Sequence, residues 1–100
     1  MSRVEVERQA DDRYRIRGEL TLATVPALEG RALPDQWPAE ATVILDLSGV
    51  TRSDSAGLAL LIEWLRLARR RNVRLRLANL PVQMREIARI SDLLPILPLD

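Results

Sequence analysis

In Leu45-Asp46-Leu47-Ser48-Gly49-Val50-Thr51-Arg52-Ser53-Asp54-Ser55-Ala56-Gly57-Leu58, an apolar run gives way to a polar turn and then to helical periodicity. The run begins earlier, at Thr42-Val43-Ile44, and is nearly continuous to Leu47, as in a central strand buried on both faces. Ser48-Gly49 is a break signal. From Ser55 to about Arg71, Leu58, Leu61, Ile62, Leu65 and Ala68 recur on one helical stripe. The pattern therefore predicts a buried strand ending in Asp46, a short loop, and a long helix entered at Asp54-Ser55. Asn72 ends that helix, with Arg69, Arg70 and Arg71 at the negative end of its dipole. Val73, Leu75 and Leu77 then alternate with Arg74 and Arg76, giving a second strand. A strand-helix-strand crossover of this length makes its two strands parallel, and the crossover itself right-handed.

Working towards the amino terminus, Val4 and Val6 alternate with Glu5 and Glu7, Asp11-Asp12 signals a turn, and Tyr14 and Ile16 alternate with Arg13, Arg15 and Arg17. These segments predict a β-hairpin. Thr24 is a candidate N-cap, and Pro26 suits the first turn of a helix carrying Ala27, Leu28 and Ala32, weakened by Gly30 and closed by Pro34 and Pro38. Towards the carboxyl end, Pro81 opens a last helix with Val82, Ile87 and Ile90 beside Met84 and Ala88, and Pro95 and Pro98 bound a tail that suits an edge strand. The expected fold is α/β, in the order β-β-α-β-α-β-α, with a mixed sheet. Three of its strands alternate polar and apolar, so the helices are expected mainly on one face.

A chain of 100 residues leaves room for a single domain, residues 1–100. Its hydrophobic fraction of 47% excludes a disordered chain. Cysteine and histidine are absent, which removes disulfides, thiolate chemistry, the commonest general base and the commonest metal ligand. No cofactor and no enzymatic activity are expected. Fifteen arginines oppose fourteen acidic residues, and a net charge of +1 gives no bulk attraction to nucleic acid. The alternating start, Met1 to Glu7, has no signal-peptide core, and the apolar run Ala56 to Ile62 is too short to span a bilayer. A cytoplasmic chain without nucleic-acid partners or direct membrane insertion is expected.

The chemistry concentrates where the loop meets the long helix, outside the carboxyl end of a parallel strand. Free amides and the positive dipole end favour an anion there. A phosphate on Ser55 is favoured by those amides and opposed by Asp54 and Asp46, the conflict that a charge switch uses. The plainer reading is that Asp54 or Ser55 caps the helix and Gly57 permits close packing. The loop lacks the paired glycines and Lys-Ser/Thr of a P-loop. Asp46 and Asp54 as an acid pair or magnesium site rest on two carboxylates alone.

L-D-L-S-G-V-T-x-x-D-S-A-G-L followed by an apolar helix resembles the STAS domain, the fold of anti-sigma-factor antagonists. Gly18-Glu19-Leu20 leading to Ala23-Thr24-Val25-Pro26 is similar to the same family's turn before its first helix. The resemblance covers residues 13 to 91. The short stand-alone form with G-L-A-L-L-I-E-W-L-R-L-A-R is most similar to the MlaB type, the cytoplasmic STAS subunits of phospholipid-transport ABC complexes in Gram-negative envelopes. The resemblance implies a non-enzymatic module for outer-membrane lipid asymmetry. Such a module binds the ATPase (nucleotide-binding) subunit and is recruited through it to the inner face of the inner membrane. The alternative it implies is an anti-sigma-factor antagonist, a partner switch worked by a kinase at Ser55. Ser55 falls on the family's phosphorylatable position, with Asp54, Ala56 and Gly57 beside it as partner surface. Asp46, Ser48 and Gly49 support the loop. Thr21 stands where kinase-switched antagonists carry Asp, and Arg52-Ser53 where their loop is apolar; both speak against the switch.

The long helix also carries Leu60, Trp64 and Leu67 on a second face. A helix apolar on two faces is packed on both, either within its own domain or against a partner; Leu60, Trp64 and Leu67 are expected, with the Ser55 loop, to form partner-binding surface. Arg66, Arg69, Arg70, Arg71, Arg74 and Arg76 form the densest charge cluster and read as a solvated, dipole-compensating face rather than a nucleic-acid or membrane surface.

Overall fold

The structure, a computed structural model, describes residues 3–10, 12–29 and 33–100. Strands Val4–Ala10 (β1), Arg13–Leu20 (β2), Thr42–Ser53 (β3) and Arg74–Ala78 (β4) lie side by side in chain order. β1 and β2 are antiparallel, whereas β2, β3 and β4 run parallel. Helices Val25–Glu29 (α1), Ser55–Arg70 (α2) and Val82–Ile90 (α3) complete the expected order, with 3-10 turns at Leu33–Gln36 and Leu94–Ile96. Asp11 of the predicted turn, and Gly30 and Ala32 of the first predicted helix, lie outside the described residues.

Strand parity sorts the two faces. Tyr14, Ile16, Val43, Leu45, Leu47, Leu75 and Leu77 are buried against the helices. The other face carries Glu5 and Glu7 opposite Arg17 and Arg15, and Arg74 and Arg76 opposite Thr42 and Ile44. Here Ile44 is only half-buried, so β3 is not fully covered on both sides as its apolar run suggests. The core extends through α2 to Trp37, whose ring meets Tyr14 at 6.2 Å and Trp64 edge-on at 6.3 Å.

Four local expectations change. β3 does not stop at Asp46 but runs to Ser53, because its second half keeps pairing with Arg17–Leu20 of β2 beyond the end of β4. Thr24 does not cap α1: its Oγ1 accepts from the Thr21 N–H (3.0 Å) and donates to the Glu19 carbonyl (2.7 Å), tying the preceding turn. On α3 the core face is Met84 and Ala88, while Val82 and Ile90 are exposed. The tail makes a single bridge beside β4, with the Leu77 N–H donating to Pro98 and the Asp100 N–H to Leu77, both at 2.9 Å. Asn72 ends α2 in the left-handed region (φ 58°), as its residue type suggests.

Candidate docking surface around Ser55

Asp54 follows β3 with extended backbone and caps α2. Its Oδ1 accepts from the N–H groups of Ala56 (2.9 Å) and Gly57 (3.2 Å), and its Oδ2 from that of Leu22 (3.0 Å). One carboxylate therefore holds the helix start to the turn after β2. Burial pushes its pKa up, but the amides of Leu22, Gly57 and Ala56 and the Arg52 charge outweigh that and hold it below its ordinary value. Of the two capping candidates, Asp54 is the cap. Ser55 is the first helical residue and is exposed.

Gly57 faces inward. A Cβ there would lie 2.2 Å from the Leu20 carbonyl oxygen, so the close approach of α2 to β2 demands glycine. Its expected place on the partner surface is corrected accordingly. Ala56, half-buried, stays at the surface.

Between α1 and α2 runs an open groove of about 630 Å³, continuous with Ala56 at the Ser55 end. Val25, Pro26 and Pro34 wall it, Leu60 and Trp64 floor it, Leu67 lies along it, and Leu22 stands at its rim, 74% exposed. Leu60 and Trp64 are 4% and 3% exposed and belong to the chain's own core. The second stripe of α2 is thus packed internally, under α1 and the turn after it, which corrects the reading of these two as free interface residues. Only Leu67 remains half-exposed among the three.

The residues expected to support the loop sit elsewhere. Asp46, Ser48 and Gly49 lie within β3, not in a loop, with Gly49 opposite Arg17. Asp46 is buried, and its Oδ1 accepts from the Ser48 N–H (2.9 Å) and Asn79 Nδ2 (3.0 Å), with Arg13 at 3.5 Å from Oδ2. Burial raises its pKa, but hydrogen bonds from Asn79 and Ser48 and the Arg13 charge prevail and bring it down to about 2. The intervening strand puts Asp46 on the order of 20 Å from Asp54. They form no acid pair or shared metal site, and Asp46 is too distant to oppose a charge on Ser55.

Sequence reasoning missed two residues. Leu22 forms the exposed rim, and Gln83 Oε1 accepts from the Ser53 N–H (3.1 Å), fastening α3 to the end of β3. An apolar residue in a turn was the only local signal for Leu22.

A family model described as "Mlab, STAS domain" matches residues 5–98. The chain belongs to the STAS domain family. Among solved structures, this STAS domain is similar to the anti-sigma-factor antagonist SpoIIAA in its unphosphorylated form. The TM-score is 0.66 and the identity 19%, over 98% of this chain and 88% of that one. At that identity the likeness concerns the fold, and it agrees with the mixed four-stranded sheet and three helices found here. No match is found among curated proteins. The STAS family points to a role in protein–protein interaction.

Proposed function

We propose that the chain, as one domain over residues 1–100, is a non-enzymatic STAS subunit that binds and regulates the ATPase subunit of a phospholipid-transporting ABC complex. The observation that carries this reading is an exposed Ser55 next to Ala56, which lines a mainly apolar groove with Leu22 on its rim, in a chain matched by an MlaB-named model. Asp54, Ser55, Ala56, Leu22 and Leu67 form the docking surface; Leu60 and Trp64 shape it from below. The main carboxylates near this end and in β3 are already engaged, Asp54 by three amides and Asp46 by Asn79, Ser48 and Arg13, which supports a binding rather than a catalytic role. No helix among the described residues is long and apolar enough to cross a membrane. On this reading, binding to the ATPase subunit is what holds the chain within the membrane complex, at the inner face of the inner membrane.

Titration of the purified ATPase subunit with the wild type, Ser55→Ala and Ser55→Glu tests this. Ala is expected to bind like wild type. Glu is tolerated by the helix dipole, so the chain folds, but an unpaired charge in a desolvated contact costs several kcal/mol and releases the partner. Binding of Ser55→Glu at wild-type affinity would remove this surface from the interface.

The exposure of Ser55 also favours a second reading, an antagonist released from an anti-sigma factor by phosphorylation of its hydroxyl. Thr21 and Arg52-Ser53 stand against it. Recovery of phospho-Ser55 by mass spectrometry of the native protein, together with an anti-sigma factor rather than an ATPase in its complex, would favour this alternative.

A further inference from the structure

A second cleft, of about 540 Å³, lies at the opposite end of α2, between the helix C-terminus, the start of β4 and the tail. Arg69, Arg74 and Arg76 line it with Leu65, Asn72 and Ile96, and no acidic residue does among the described residues. Arg76 is committed: its Nε donates to Asp100 (3.1 Å) and its Nη2 to the Leu99 carbonyl (2.9 Å). Arg69 and Arg74 are exposed and make no ion pair among the described residues. Arg70 also serves the last turn of α2, and Arg74 lies on β4 rather than on the helix, so compensation of the helix dipole does not call for both. The same cleft exposes Ile96 at 61%. Two guanidinium groups with no ion pair among the described residues, beside an exposed aliphatic side chain, match an anionic amphiphile, whose phosphate takes the arginines and whose apolar part meets the isoleucine.

We propose that this cleft docks onto the phosphate headgroups of an anionic lipid surface. Nucleic acid fits it less well, because both tryptophans are buried and leave no ring there for bases to stack on. α2 has 16 residues, so the cleft stands about 24 Å from Ser55, and both ends can be occupied at once.

Co-sedimentation of the full chain with vesicles tests the proposal without any ATPase subunit, so its failure leaves the docking reading untouched. Binding is expected to vesicles of phosphatidylcholine mixed with phosphatidylglycerol, not to phosphatidylcholine alone, and to weaken as salt rises. Arg69→Ala with Arg74→Ala should lower affinity roughly thirtyfold, about fivefold for each arginine. Ile96→Ser should lower it further, and Arg85→Ala, on the exposed side of α3, should change it less than about twofold. All variants alter exposed side chains and should melt with the wild type. Equal binding to both vesicle types would overturn the proposal, as would a loss in Arg85→Ala matching that of a cleft arginine. Displacement from the vesicles by inorganic phosphate at matched phosphate concentration, or by an oligonucleotide, would overturn it in favour of a free-anion or nucleic-acid site.

Discussion

Two adjacent polar residues at the start of α2 divide between structure and surface. Asp54 satisfies two amides of the first helical turn and a third from Leu22. Asp54→Ala is therefore expected to cost about 1–2 kcal/mol in urea denaturation. Ser55→Ala, at an exposed position, should stay within about 0.5 kcal/mol of wild type. Equal losses in both would return Ser55 to a capping role. Asp46 carries a different prediction. Its folded pKa of about 2 lies below the ordinary unfolded value of about 3.9. It thus contributes stability above about pH 4 that is lost as pH falls towards about 2, on the order of 2 kcal/mol. Asp46→Asn should be less stable at neutral pH, and its urea midpoint should fall less steeply through that acid window. An unchanged acid slope would mean that Asp46 carries no charge-dependent stability.

Among the elements, α2 is anchored both at its first turn and midway along its length. Its first turn presses on the end of β2 through Gly57, and Gly57→Ala should cost about 1–3 kcal/mol because Leu20 backbone must yield. Trp64 fills the space between α2 and Trp37, so Trp64→Ala should lower the stability of the free chain by about 3–5 kcal/mol. A melt that barely changes would place Trp64 outside the core. Leu22→Ser removes apolar surface that is already in water. Calorimetry of the free variant should differ little from wild type, while its affinity for the ATPase subunit should drop. Loss of both together would make Leu22 a folding residue rather than a rim contact.

Across the whole molecule, the docking surface and the arginine cleft occupy opposite ends of α2. Interactions that far apart with no shared partners are expected to be independent. Ser55→Glu should therefore leave vesicle binding unchanged, and the paired Arg69→Ala and Arg74→Ala substitutions should leave ATPase affinity unchanged. Combining all three in one chain should multiply, not enhance, the separate effects. Any strong coupling in that cycle would show that the two ends communicate through α2.

Element order, the parallel crossover and the inward faces of β2 and β4 were legible in the residues because side-chain periodicity is a local property, set by the 2.0 and 3.6 residue repeats. Tyr14 and Ile16, Leu75 and Leu77, and the Asn72 stop all behave as their neighbours in the chain dictate. The family was legible too, in the D-S-A-G-L stretch. Tertiary structure alone decided the rest. Ser48-Gly49 breaks an isolated strand, yet pairing with β2 carries β3 to Ser53 and parts Asp46 from Asp54. Whether Leu60 and Trp64 met a partner or their own core depended on where α1 and Trp37 came to lie. Asp46 found Asn79 33 residues away, and Ser53 found Gln83 30 residues away. Such pairs are set by strand register and helix packing, to which local propensity is blind.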